Sequence, residues 1–379
     1  MKTSLYLHIP FCQRKCGYCD FTSYDSPDLT LAEYEGLLRR EIADTAQRFP
    51  VSSVPTVYFG GGTPSLLRYG QVARLLRCAG DHFPLDADAE ITLEINPGTV
   101  TPASLAGYRD AGVNRLSVGV QSLDDRELAL LGRIHTSARA RATIAAARRA
   151  GFANIGLDLM HSLPGQSLGR WEKTLCRAVD LGPEHISAYG LSIEEGTPFA
   201  SLVASGDLTT IDSELAADMF ELTADVLTDA GYEHYEISNF ARPGCRSRHN
   251  QVYWRRGSYL GFGAGAHSFV RQPGFGLRWE NPPGLAAYAS CIDGEALCPV
   301  KQAISREDAM AEFFFLGLRM LDGVDLTEFA GEFGISAETR FPGAIERNVA
   351  AGLLSREGTL LRLTRRGIML ANRVLADFV

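Results

Sequence analysis

The sequence predicts an α/β protein: a partial barrel of six parallel βα units, a segment that extends its sheet, and a small, mostly helical C-terminal unit. Three observations carry this. Six β-rich apolar runs alternate with helix-like stretches over residues 1–230, as βαβ units around a parallel sheet do. Residues 231–304 turn to a Gly-, Pro- and aromatic-rich composition, as in "YEHYEISNFARPGCRSRHNQVYWRRGSYLGFGAGAHSF". Residues 305–379 open on a helical period, "REDAMAEFFFLGLRML".

In order, the expected strands are "SLYLHI" (4–9), "TVYFGGG" (56–62), "ITLEIN" (91–96), "NRLSVGVQS" (114–122), "ANIGLDLM" (153–160) and "HISAYGLS" (185–192). The helices between them are 31–49, 66–80, 101–112, 137–151 and 169–182, several of which stop at Gly, as helix C-termini often do. The middle segment suits loops and short strands. The chain end, "AIERNVAAGLLSREGTLLRLTRRGIMLANRVLADFV", reads helix, "EG" turn, strand, helix, a winged-helix-like order.

The 379 residues suffice for two or three domains. No apolar run approaches the roughly 20 residues that span a bilayer. "MKTSLYLHIPFC" lacks the features of a secretory leader. A cytoplasmic chain with reduced thiols is therefore expected, with peripheral contact to the inner face of the membrane as a variant. The net charge of −8 weighs against a broad nucleic-acid surface.

"FCQRKCGYCDF" sets Cys12, Cys16 and Cys19 in a C-x3-C-x2-C array directly after the first strand. A closed zinc site needs four ligands, and His8 is the fourth on that reading. A [4Fe–4S] cluster on three thiolates leaves one iron open to a small chelating molecule. The loop lies where a barrel places its active site, beyond the strand's C-terminal end. "GGGTP" (60–64) ends the second strand, and its glycines permit close backbone approach. Glu94, Gln121 and Asp158 fall near the ends of the next strands, with Arg133 in the following "GRIH". Carboxylates at such positions are costly unless partnered.

The array resembles the radical S-adenosylmethionine (SAM) superfamily. The series "YLHIPFC…C…C", "GGGTP", "LEINP", "GVQS", "GRIH" and "DLM…LPGQ" resembles its coproporphyrinogen-dehydrogenase-like branch over nearly the whole chain. The resemblance implies a [4Fe–4S] cluster on Cys12, Cys16 and Cys19. It implies SAM binding by Tyr6, Gly61, Gly62, Thr63, Glu94, Gln121, Arg133 and Asp158. The branch can hold two SAM molecules, so some of these residues belong to a second site on that reading.

Two functions compete within the branch. One is the oxygen-independent coproporphyrinogen III dehydrogenase of haem synthesis, and the other is the HemW-type haem chaperone. The dehydrogenase pattern continues C-x3-C-x2-C-x-C, whereas this chain has Phe21 at the last position, and Phe cannot replace a thiol. Only five residues precede Tyr6, where the dehydrogenase carries a long extension. "HNQVYW" (249–254) matches the H-N-x-x-Y-W motif tied to haem in the chaperones. His249 offers an imidazole for haem iron, and Tyr253 and Trp254 offer flat faces for a porphyrin. Arg246, Arg248, Arg255 and Arg256 are candidates for the propionates. A structural His249 beside a solvated arginine face is the competing reading. Cys245 is an alternative ligand. His267, in "GFGAGAHSF", reads as a satisfied core histidine rather than a second ligand. Cys291 and Cys298 read as structural.

"DLMHSLPGQ" departs from the branch, which places an aromatic and Gly where this chain has His161 and Ser162. The resemblance favours a chaperone that binds haem as cargo and passes it to apo-haemoproteins, membrane respiratory enzymes among them. Coproporphyrinogen dehydrogenase activity is not expected. A radical enzyme acting on RNA, with "RLTRRG" as a basic wing, is the reading from another class. The residues leave the axial ligand, a homodimer and the cleavage of SAM open.

Overall fold

The computed structural model describes residues 1–295 and 300–379; Cys298 lies outside them. All six expected strands form: β1 (Ser4–Ile9), β2 (Val54–Gly61), β3 (Leu85–Ile95), β4 (Arg115–Gln121), β5 (Asn154–His161) and β6 (His185–Gly190). They pair in parallel, each with the next. The middle segment adds β7 (Glu233–Glu236), β8 (Asn239–Ala241), β9 (Tyr259–Phe262), β10 (His267–Val270), β11 (Leu277–Glu280) and β12 (Gln302–Ala303). It extends the sheet at both edges, giving the order β12-β11-β10-β9-β1-β2-β3-β4-β5-β6-β8-β7. Because β9 joins β1 in parallel, the parallel core is β9 with β1 to β6. Nothing pairs β12 with β7 among the described residues, so the barrel is partial, as expected.

The helices up to the middle segment are α1 (Leu31–Arg48), α2 (Tyr69–His82), α3 (Pro102–Asp110), α4 (Asp125–Leu130), α5 (Ser137–Arg149), α6 (Leu168–Asp180), α7 (Pro198–Ser205), α8 (Ser213–Asp229) and α9 (Arg248–Trp254). Local chemistry sets their starts. Thr30 accepts from the Glu33 N–H, and Glu33 answers to the Thr30 N–H, which is a capping box. The α4, α7, α8 and α9 helices go beyond the sequence reading. For α4 and α9, of six and seven residues, there is too little length to show a period. The α8 signal was present: an Asp212 cap followed by buried Met219, Thr223 and Leu227.

Strand residues alternate between faces. Leu5, Leu7 and Ile9, then Val57 and Phe59, then Leu116, Val118 and Val120, pack outward into the main apolar core. The opposite positions carry Tyr6, His8, Tyr58, Glu94, Arg115, Ser117, Asp158 and Ser187 around the cavities within the barrel. The apolar layer under the helices holds the fold, and the interior is left polar for use.

The C-terminal unit has its own core, built on Phe314, Phe329, Phe333, Phe341 and Phe378. A hairpin of strands Leu354–Glu357 and Leu360–Leu363 lies between helices Ala344–Ala350 and Arg365–Met369. It contains one strand more than the expected helix, turn, strand, helix, because Ser355, Arg356 and Glu357 give the first strand a polar surface. Arg256 anchors this unit to the sheet. It is buried, with φ of +49°, and it pairs with Glu312 and Glu332 at 3.1 Å each.

Candidate functional site

The cysteine loop leaves β1 at its C-terminal end. Its path is fixed by the Cys12 N–H donating to the Tyr24 carbonyl and the Tyr24 N–H to the Pro10 carbonyl, at 2.8 and 2.7 Å. The end of β2 comes in beneath it. At Gly61 φ is +112°. A Cβ on Gly62 would stand 2.8 Å from the Phe11 carbonyl oxygen and 3.0 Å from Cys12 Sγ, so only glycine admits this approach. Thr63 Oγ1 then lies 3.6 Å from Cys12 Sγ.

Cys12, Cys16 and Cys19 line one central cavity of about 360 Å³. Gly61, Gly62, Thr63, Glu94, Gln121, Arg133 and Asp158 line it with them. Arg133 donates to Cys16 Sγ at 3.6 Å and to the Gly119 carbonyl at 2.7 Å. Gln121 stands at φ of +65°, a backbone conformation costing on the order of 1–3 kcal/mol that clusters at functional sites. Tyr58 donates to one oxygen of Glu94 at 2.8 Å and the Gly61 N–H to the other at 3.2 Å. Burial, reinforced by Asp158, raises the Glu94 carboxyl to about 7. Burial raises the Asp158 carboxyl too, although Ser117 donates to both its oxygens at 3.1 Å.

Arg115 was missed by the sequence reading. It is 2% exposed and lines the same cavity. At the start of "RLSVGVQ" it looks like a solvent-edge residue, and only the sheet register turns it inward.

Tyr6 lies outside the cysteine cavity. It lines an adjoining chamber of about 420 Å³ with His8, Tyr253, Tyr259 and His267, and the two chambers share Phe21, Gly61 and Glu94. Tyr6 donates to His8 Nδ1 at 3.0 Å, and His8 Nε2–H donates to the Thr22 carbonyl at 2.8 Å. With both nitrogens engaged, His8 faces away from the thiols and makes no fourth ligand. Phe21 is 64% exposed at the mouth of both chambers. The structure thus divides the expected SAM residues between two connected spaces. His267 corrects the core expectation: it is exposed and lies 3.7 Å from Glu280, because it starts the edge-side hairpin at β10.

The H-N-x-x-Y-W helix α9 closes the opposite, N-terminal end of the barrel. Glu90 accepts from the backbone N–H groups of Arg248 and His249, both at 3.0 Å. His249 is 1% exposed. Its Nδ1 is 2.7 Å from Thr56 Oγ1 and its Nε2 2.8 Å from Tyr253 Oη, and burial pushes it down to about 3. The imidazole expected to face a porphyrin is therefore packed in the floor, both nitrogens taken. Asn250 reaches the central cavity, Tyr253 the adjoining one, and Trp254 a third space against the C-terminal unit. Arg246 pairs with Glu233 and Asp322, Arg248 with Asp88, and Arg256 with Glu312 and Glu332. Arg255 meets Asp322 only at 4.0 Å. Cys245 packs beside Tyr235 and Trp254.

His161 and Ser162 also differ from expectation. They line neither barrel chamber. His161 ends β5 on the outward face, its ring 5.4 Å from Trp171 of α6.

The Radical SAM superfamily model matches residues 6–177, and the HemN C-terminal domain model matches 304–370. A Bacillus subtilis protein named heme chaperone HemW is 35% identical over 379 residues, covering 99% of both chains. The chain belongs to the HemW family of radical SAM proteins. An Escherichia coli HemW is 36% identical, over 99% of this chain and 98% of its own, and a Mycobacterium tuberculosis HemW is 38% identical, over 98% and 93%. Among solved structures, the coproporphyrinogen III oxidase HemN of Escherichia coli superposes with a TM-score of 0.84 at 24% identity, over 99% of this chain and 89% of that one. That likeness gives this HemW-family chain its fold: a radical SAM α/β barrel with a C-terminal helical domain.

Membership of the radical SAM superfamily implies a [4Fe–4S] cluster and SAM, and the donor set here fits such a group. Burial raises the Cys19 thiol, and the neighbouring Cys16 and Cys12 add to the shift. Three thiols in one cavity resist joint ionisation unless a cation sits among them. Among the described residues, no three His, Cys, Asp or Glu side chains converge on a single ion position. Three thiols on one cavity wall fit a polynuclear cluster, where each would bind a different iron.

Proposed function

We propose that the chain is a haem chaperone on a [4Fe–4S]/SAM scaffold, binding haem and delivering it to apo-haemoproteins. The observation that carries this is the end-to-end likeness to proteins named heme chaperone HemW, at 35% and 36% identity. Phe21 supports it from the site, standing at the cavity mouth where the dehydrogenase pattern has its fourth cysteine.

On this reading Cys12, Cys16 and Cys19 hold the cluster, and an amino acid moiety binds beside it. Arg133 and Arg115 are placed for a carboxylate, and Glu94 and Asp158 for an ammonium, since all four line the cavity. Tyr6 and Tyr253 offer rings for an adenine in the adjoining chamber. A cluster held there would supply the reducing electron for SAM chemistry. Phe21 and the loop shield that space from water.

The test is an anaerobic titration of the cluster-reconstituted chain with hemin, followed by mixing with an apo-haemoprotein. Saturable binding near one haem per chain, then transfer, is expected. Conversion of coproporphyrinogen III to protoporphyrinogen under the same reducing conditions would sink the reading in favour of the dehydrogenase.

A further inference from the structure

Three buried histidines look into or beside cavities, and their hydrogen bonds set them apart. His8 and His249 each have both ring nitrogens engaged. His161 does not. Its Nδ1 meets Ser162 Oγ at 2.8 Å, and its Nε2 has no partner among the described residues. The ring is 4% exposed and lines a separate cavity of about 520 Å³. That leaves Nε2 without a protein partner among the described residues and open to a ligand from the cavity.

The backbone is arranged to hold the ring there. Ser162 stands at φ of +61°, a strained position for a residue with a Cβ, and in that conformation its hydroxyl reaches Nδ1. Gly190 of β6 leaves the other side open; a Cβ there would come within 3.2 Å of His161 Cε1. One wall is apolar, with Ala188, Leu191, Phe220 and, from the C-terminal unit, Ile368 and Met369, and the other is polar, with Ser192, Thr210, Asp212, Ser213 and Ser238. This volume falls within the range of cofactor sites, which is about 300–1,000 Å³.

We propose that His161 coordinates the iron of the haem cargo in this cavity, between the barrel and the C-terminal unit. The inference rests on the haem reading above. With Nδ1–H donating to Ser162 Oγ, Nε2 keeps its lone pair toward the cavity. A second hydrogen bond that fixes the tautomer is what a metal-ligating imidazole commonly has. Burial pushes the ring down to about 4, which keeps it neutral at neutral pH. A bare zinc ion would ask the protein for three or four donors. A porphyrin brings four nitrogens of its own and asks for one axial ligand, an apolar wall for its ring and polar groups at its edge, and this cavity has one apolar and one polar wall. His161 is the single His or Cys on this cavity wall, and Asp212 is occupied with the Leu215 N–H at 2.8 Å.

The experiment is a hemin titration of the full chain as wild type, His161→Phe, His161→Gln and His249→Ala. Metal-free protoporphyrin IX serves as the probe of cavity shape, and thermal melts check folding. The expected result is an imidazole-type Soret band in the wild type. Both His161 variants should lose it with a fall in affinity of about tenfold or more. Added imidazole should restore the band. Metal-free porphyrin should bind all folded chains alike, and His249→Ala should keep the wild-type band. Hemin binding by both folded His161 variants with wild-type affinity and band overturns the inference and leaves the haem reading intact. Absence of saturable hemin binding by the wild type overturns both.

Discussion

The two ends of the barrel are built from similar residue types and are finished in opposite ways. At the N-terminal end, α9 brings His249 against Thr56 and Tyr253, and Glu90 caps the helix. Both ring nitrogens of His249 and the first N–H groups of α9 have partners inside the protein. At the C-terminal end, three thiols, Arg133 and the exposed Phe21 surround open space. The floor spends its polar groups on stability and the rim keeps its own for a ligand, which is the usual division between the ends of such barrels.

The largest test of this contrast is at the rim. Replacing any one of Cys12, Cys16 and Cys19 with Ala should abolish the stable cluster, read as loss of its iron content and visible absorption. The melting temperature of the cluster-free chain should shift little, since each thiol is only partly buried. A cluster that survives such a change would break the assignment.

At the floor the effects should appear in stability. Arg115→Met removes a fully buried guanidinium from the base of the central cavity, amid Glu90, Asp158 and Tyr235. A loss of about 1–3 kcal/mol is expected. His249→Ala strands the Tyr253 hydroxyl, while Thr56 keeps its bond to Ser4, and opens a cavity, for a loss of about 2–4 kcal/mol. Denaturant unfolding measures both, and losses under 1 kcal/mol would mean that the floor is not the packed end.

The ends should also titrate with opposite sign. His249 is lowered from 6.5 to about 3 by burial, so its contribution is present above pH 6.5 and lost as the pH falls toward 3. Glu94 is raised from 4.5 to about 7, chiefly by burial. Its contribution is full below pH 4.5 and lost as the pH rises through 7. His249→Asn should therefore flatten the acid limb of the stability curve, and Glu94→Gln the limb between pH 4.5 and 7. Equal slopes in wild type and variants would remove the distinction.

The smallest effect belongs to Phe21→Ser. Stability should change by less than about 0.5 kcal/mol at so exposed a position, while the reconstituted cluster should bleach faster in air because its mouth is no longer screened.

The sequence reading fared differently at the two ends for physical reasons. The rim is made of residues close in sequence: a strand, a cysteine loop and a glycine turn, each with a local signature. β1 was placed residue for residue at 4–9. The floor depends on contacts between distant segments, such as Thr56 with His249 at a separation of 193 residues. No periodicity reports such a contact. "HNQVYW" shows an imidazole and two aromatic rings, but not that Glu90 and Thr56 draw the first inside while Trp254 faces away. The parallel β9–β1 pairing was hidden for the same reason, since four residues carry no sign of which strand they will join.

The glycine step at the end of β2 bears on how such a chain drifts over generations. At 61 and 62 a single added methyl meets the His8 ring at 2.6 Å or the Phe11 carbonyl oxygen at 2.8 Å. At 62 no neighbouring substitution can trim a backbone carbonyl, and at 61 the φ of +112° strains any side chain whatever its neighbours, so compensation has little to act on. In a saturation library selected for cluster assembly, these two codons should stand nearly bare of alternatives. Position 21, open to solvent in the cysteine loop on the same cavity, should accept much of the genetic code.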